Sequence, residues 1–191
     1  MCGRYTLFSE QDNAEIMNIV EQISRRYGEN AMKTGEIYPT DRVPVMINAN
    51  GKIVTELQTW GFPKFDGKGV IINARSETVN EKPLFRNSFF YRRCVIPSTG
   101  FYEWSHDSEK KKYLFNLPNK QTLYMAGIYN EFSKEKRFVI LTSSANSSVS
   151  DIHNRMPVIL KDSFFYDWIN DKDSAAAYLK APLPILSRTA V

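Results

Sequence analysis

The second residue of the chain is a cysteine, in Met1-Cys2-Gly3-Arg4-Tyr5. If Met1 is removed, which a small second residue permits, Cys2 carries a free α-amine and a thiol on adjacent carbons. The amine titrates near ~8 and the thiol near ~8.5, so both are partly in their nucleophilic forms at neutral pH. An aldehyde converts such an amine to a Schiff base, and the neighbouring thiol closes it into a five-membered thiazolidine. Neither an internal cysteine nor an N-terminal serine gives that product. Gly3 lets the backbone approach a partner closely. An ordinary buried cysteine beside a frayed terminus fits the position as well.

Three further segments carry candidate chemistry. In Asn73-Ala74-Arg75-Ser76-Glu77-Thr78, Asn73 can orient a nucleophile or a substrate oxygen, and the planar fork of Arg75 suits a phosphate. A polar strand end with an ordinary turn and ion pair accounts for the same residues. In Arg92–Trp104, Glu103 sits between Tyr102 and Trp104. Burial there would raise its pKa toward neutrality and make it a general acid/base, whereas strand alternation equally allows an outward-facing polar residue. Trp104 can stack on a base or sugar, or pack. Cys94 reads as core. In Ile152-His153-Asn154-Arg155-Met156-Pro157, His153 titrates in the range for proton transfer. His106, in a polar turn with Asp107-Ser108, reads as a solvated loop residue. Thr142, closing the run Phe138–Thr142, offers a hydroxyl. A Cys2, His153 and Glu103 triad is chemically allowed, although spacing alone does not bring the three together.

The elements that must position these groups belong to one domain spanning 1–191. Hydrophobic residues make up 42% and charged residues 24%, a globular balance that excludes disordered and coiled-coil chains. No apolar stretch approaches the ~18 residues of a membrane helix, and no signal-peptide pattern opens the chain, so a soluble, cytoplasmic protein is expected. The net charge of +4 is spread evenly, without a basic arm. Two cysteines and two scattered histidines exclude a disulfide framework and argue against structural zinc.

A first helix is expected from a Ser9 cap with Asp12 as capping-box partner, through Ile16, Ile19, Val20, Ile23 and Tyr27, to Gly28. Val43–Ile47 and Ile53–Leu57 flank Asn48-Ala49-Asn50-Gly51 as a hairpin. Short β-rich runs follow at Val70–Asn73, Cys94–Ile96, Phe101–Trp104, Tyr113–Leu117, Leu123–Tyr129 and Phe138–Thr142. Late helices are expected near Ser147–His153, Ser163–Asn170 and Ser174–Lys180, the last two capped by Asp162 and Asp173. The fold class is α+β, with a curled, barrel-like antiparallel sheet core and a few flanking helices.

Together and in this order, Met1–Tyr5, Ile72–Thr78, Cys94–Trp104 and Ile152–Pro157 resemble the SOS-response-associated peptidase (SRAP) family. Trp60-Gly61-Phe62-Pro63, Met125-Ala126-Gly127 and Ile140-Leu141-Thr142 add weaker matches, and the resemblance runs from residue 2 to about Trp168. It implies a β-rich domain that senses abasic sites in single-stranded DNA and links covalently to the ring-opened deoxyribose as a thiazolidine, with AP-lyase and crosslink-reversal activities following from the same chemistry. By motif, Cys2 is the nucleophile once Met1 is gone, Asn73 positions its amine and the sugar, Glu103 moves protons, and His153 is a second acid/base. Arg4, Arg75 and Arg155 would hold phosphates, with Thr142 beside them, and Pro39, Phe65 and Trp104 would meet the DNA. No metal or organic cofactor is implied, nor a membrane. A monomer associated with the nucleoid when engaged on DNA is expected.

Two positions depart from the family pattern: Glu36 stands where relatives usually carry an amide, and Phe65 where a tryptophan is common. Two other readings stay open at this level. One is a cysteine peptidase acting through Cys2 on Met1 or on a protein substrate. The other is a noncatalytic module that binds single-stranded nucleic acid.

Overall fold

The computed structural model describes residues 2–8, 13–118 and 122–191. The strands are β1 (Tyr5–Leu7), β2 (Gly35–Ile37), β3 (Arg42–Ala49), β4 (Lys52–Trp60), β5 (Phe62–Pro63), β6 (Val70–Ile71), β7 (Asn73–Arg75), β8 (Arg93–Ser98), β9 (Gly100–Trp104), β10 (Lys112–Asn116), β11 (Leu123–Phe132), β12 (Glu135–Ser144), β13 (Arg155–Pro157), β14 (Ile159–Leu160) and β15 (Ser187–Ala190). The helices are α1 (Ala14–Tyr27), α2 (Pro83–Tyr91), α3 (Phe165–Asn170) and α4 (Lys172–Tyr178).

The longest strands close on themselves. β12, β4, β3, β8 and β11 are hydrogen-bonded in that order, and β11 pairs again with β12, which completes a five-strand barrel. Closure removes the exposed edges that such apolar strands would otherwise present. The expected barrel-like core is therefore present, but it is not wholly antiparallel. β12 runs parallel to β4 (Phe138 opposite Trp60) and, further along, to β7 (Thr142 opposite Arg75). Parallel neighbours need a long crossover, and here the chain traverses β5 to β11 before β12 forms. A second sheet, in the order β15-β10-β9-β1-β2, packs alongside and carries the N-terminal strand. Tyr5 of β1 and Trp60 of β4 join the two, with ring centroids 5.2 Å apart, and Trp60 stacks at 6.4 Å on Phe138.

The β3–β4 hairpin turns on Asn50-Gly51, with Ala49 opposite Lys52. Both turn residues have positive φ (53° and 79°), the type I′ geometry that Asn-Gly tolerates. Helix α1 buries Ile16, Ile19 and Ile23 and ends at Gly28, as its periodicity predicts. Its cap is Asn13, whose side chain accepts from the Ile16 N–H at 3.0 Å; the expected Ser9–Asp12 cap lies outside the described residues.

Other local expectations need correction. Residues 147–152 form turns rather than a helix. The Asn146 side chain accepts from Ser148 and donates to the Leu183 and Pro184 carbonyls, tying the segment to the C-terminal chain instead of letting it propagate. The cap of α4 is Asp171, which accepts from the Asp173 and Ser174 N–H groups, and not Asp173. Asp162 opens a 3-10 turn (Asp162–Phe164), and α3 has no side-chain cap. Helix α2 has no counterpart among the expected elements: Lys82 provides no side-chain cap, and Pro83 is its sole start signal.

Arg93, the first residue of β8, fastens α2 and α3 to the barrel. It is 6% exposed and donates to Phe89 and Phe90 O (2.8 Å each), Trp168 O (2.6 Å) and Ile169 O (3.1 Å). These are carbonyls of the last turns of two helices, where partners are lacking and a positive charge is favoured. Arg93→Met is expected to lower unfolding free energy by about 3 kcal/mol or more, because buried acceptors are left unsatisfied. Arg93→Lys, with fewer donors, should recover only part, as read from urea midpoints.

Candidate active site

Strand pairing places Cys2. β1 lies antiparallel to β9, with Tyr5 opposite Phe101, and the Tyr102 N–H donates to Arg4 O at 2.9 Å, extending the ladder toward the terminus. Cys2 is fully buried, and Asn73 Nδ2 donates to its carbonyl oxygen at 2.9 Å. Asn73 heads β7, which β12 holds in register through Ile140. Residues 71 positions apart thus meet because β7 is fixed to the barrel while β1 is fixed to β9. The Cys2 Sγ lies 3.8 Å from Arg4 O. Burial pushes the thiol far above its usual range, and the nearby Glu103 carboxylate adds to this.

Glu103 faces inward. It is 4% exposed, and burial raises its carboxyl pKa above the ordinary glutamate value. Of the two orientations that alternation allows, the buried one is adopted. An open cavity of about 360 Å³ lies against it, lined by Glu103, Trp104, Ser105, His106, Lys110 and His153. His153 Nδ1 accepts the Arg155 N–H at 3.0 Å, and burial lowers the imidazole pKa. His106 is exposed on a turn, as expected, but is more than a solvated loop residue: its ring centroid is 5.2 Å from that of His153. Sequence reasoning misses this pairing of rings, for which turn composition carries no signal.

Beside the cavity is a layered cationic face. The Arg4 guanidinium carbon lies 4.3 Å from the Tyr38 ring centroid and 4.9 Å from that of Trp104. Lys112 Nζ lies 3.8 Å from the Tyr102 centroid. Glu36 ties the layer together, accepting from Lys112, from Arg4 NH1 (3.4 Å) and from the Tyr38 hydroxyl (3.0 Å). Its carboxyl pKa is lowered, first by the Lys112 hydrogen bond. Pro39 follows Tyr38 in the adjoining turn, where the Tyr38 N–H donates to Asp41 at 2.8 Å.

The remaining candidates fall into two groups. Arg75, Thr142 and Arg155 cluster where β7, β12 and β13 meet. Arg75 is exposed, whereas Thr142 is fully buried and its carbonyl accepts from Arg155. Arg155 also grips Glu77 through both carboxylate oxygens (2.5 and 2.8 Å), which lowers the Glu77 pKa to about 2. Phe65 stands apart, fully exposed at the tip of the β5–β6 hairpin. Cys94 is fully buried in the core, as expected. Among the described residues, no cluster of His, Cys, Asp and Glu could hold a metal ion, and no helix is long and apolar enough to cross a membrane.

Comparison with known proteins extends the picture. The family model "SOS response associated peptidase (SRAP)" matches residues 1–189. Abasic site processing protein YoqW of Bacillus subtilis is 33% identical over a 201-residue alignment covering 96% of this chain and 86% of its own. Abasic site processing protein YedK of Escherichia coli is 24% identical over 182 residues, covering 91% and 82%. A crystal structure of a Bacteroides thetaiotaomicron protein superposes with a TM-score of 0.81 at 24% identity, covering all of this chain and 92% of the other. The match of the family model over nearly the whole length makes the chain a member of the SRAP family.

Proposed function

We propose that this protein processes abasic sites in DNA, capturing the ring-opened sugar of a single strand as a thiazolidine on Cys2 after removal of Met1. The observation that carries this reading is the convergence of Cys2, Asn73 and buried Glu103 at the β1–β9 junction beside an open cavity. The names of relatives such as YoqW and YedK agree with it.

An abasic deoxyribose is mostly a closed hemiacetal. Glu103, with a raised pKa, is suited to give and take the proton that opens it to the aldehyde. The Cys2 amine then adds to C1′ and water leaves, giving an iminium. Sulfur adds to the same carbon, the thiol proton passes to a base, and the ring closes with net loss of one water. The raised thiol pKa supports this order, with amine first and sulfur second. It also weighs against the peptidase reading, since a cysteine protease nucleophile needs a thiolate stabilised near neutral pH. If the iminium instead loses its α-proton, β-elimination cleaves the strand.

The layered face beside Trp104 suits a DNA backbone with unstacked bases. Glu36 occupies two of its cations before any phosphate arrives. Glu36→Gln is expected to tighten binding of unmodified single strands. It should steepen the salt dependence of log K by about 0.7 for each further phosphate that the freed cations neutralise, measured by fluorescence anisotropy across a salt series.

The deciding experiment mixes the purified protein with an oligonucleotide bearing one abasic site and resolves the products on a denaturing gel. A heat-stable shifted band on the abasic strand, absent with an intact strand, is expected. Salt-sensitive binding without any covalent band would overturn the reading in favour of a noncatalytic module.

A further inference from the structure

Among groups that the capture chemistry leaves unused, His106 lines the cavity with its ring against that of His153. Its ring centroid is 5.2 Å from that of His153, with the planes inclined at 41°, and both line the cavity that reaches Glu103. The turn that carries it is fastened. Ser105 N–H donates to Lys111 O at 2.9 Å, Lys111 N–H returns to Ser105 Oγ at 2.9 Å, and Asp107 Oδ1 accepts from Ser105 Oγ and from the Glu109 and Lys110 N–H groups. His106 is therefore held at the cavity mouth by its own loop.

His153 Nδ1 meets both backbone groups of Arg155: its N–H at 3.0 Å, which donates to a bare Nδ1, and its carbonyl oxygen at 3.3 Å, which would accept an Nδ1–H. The backbone contacts therefore leave the protonation state of the ring to the charges around it. We propose that His106 is a positioning residue for the capture reaction: when charged, it disfavours a second charge on the adjacent His153 ring, so that His153 remains a proton acceptor in mildly acidic solution. The role in capture rests on the function proposed above; the coupling between the two rings does not.

Other described charges facing His153 are Glu103 on β9, Lys110 on the turn and Arg155 on β13. Lys110 and Arg155 oppose a charge on His153, and Glu103 favours one. All three remain when His106 is replaced, so the replacement isolates the imidazole pair. A unit charge 5.2 Å away shifts a titration by about half a pH unit even with water-like screening.

The chain has two histidines, so the imidazole Hε1 signals of the full-length protein are assigned by a single variant, His153→Gln. In His106→Gln the His153 midpoint is expected to rise by about half a unit or more at low ionic strength. In His106→Lys, which restores a charge at the same place, it should stay near the wild-type value. The acidic limb of the crosslinking rate should move with it. An unchanged His153 midpoint in His106→Gln would overturn the coupling. A shifted midpoint with an unmoved acidic limb would overturn the role in capture. Wild-type protein that gives no covalent band refutes the function instead, and the titration still reads the coupling.

Discussion

Cys2→Ser is expected to reduce the heat-stable crosslink to background while leaving an amine able to form the iminium. The serine hydroxyl closes only a hydrolysable oxazolidine, so the captured sugar is either released or loses its α-proton. Strand cleavage should therefore increase relative to adduct, and borohydride, which reduces the iminium to a secondary amine, should restore a covalent band. Both products are read on the same denaturing gel, with intact mass confirming whether Met1 has been removed. The prediction follows from the geometry, because Asn73 holds the Cys2 carbonyl and not the thiol, so the variant keeps its anchor. A stable Cys2→Ser adduct formed without borohydride would show that sulfur is not the closing atom.

What can be foreseen from residues alone divides along a physical line. Elements specified by local chemistry are legible: the Asn50-Gly51 turn, the apolar stripe of α1 and the burial of Cys94 need nothing beyond near neighbours. Properties set by register are not. Alternation permits Glu103 to face either way, and it is buried because both faces of β9 are covered in the fold, Tyr102 being buried as well. The family resemblance implies a phosphate contact for Arg155, and the bidentate Glu77 that it also meets, 78 positions away, comes from the meeting of β13 with β12, which its local sequence does not announce. The ion cluster around Glu36 likewise depends on Lys112, brought across by β10. Helix α2 lacks a capping side chain and therefore announces itself weakly. The four motifs are legible as a set because each contributes a residue to one region, although their spacing says nothing about distance.

Glu103→Gln is expected to slow covalent capture by roughly 10²–10⁴-fold, the usual worth of a positioned general acid/base, with binding of an unmodified strand changed less than about twofold. The amide keeps the size and hydrogen-bonding reach of the carboxyl but cannot deliver a proton to the sugar ring oxygen or take one from the closing thiol. Stability separates this loss from misfolding. Unfolded glutamate titrates near ~4.3, whereas burial raises the folded value. The group's contribution is thus fully present below the unfolded value and is lost as pH rises through the folded one. At neutral pH, above the unfolded value, that contribution is reduced or lost in the wild type, whereas the amide does not titrate, so Glu103→Gln should melt at the same or a higher temperature. That advantage should shrink as pH falls toward ~4, in calorimetric scans over the same buffers. A variant that is both slower and less stable at neutral pH would point to a structural role for Glu103. Equal losses in binding and in capture would remove its assignment as the proton carrier. A slower but sturdier protein is what a buried carboxylate kept for chemistry predicts.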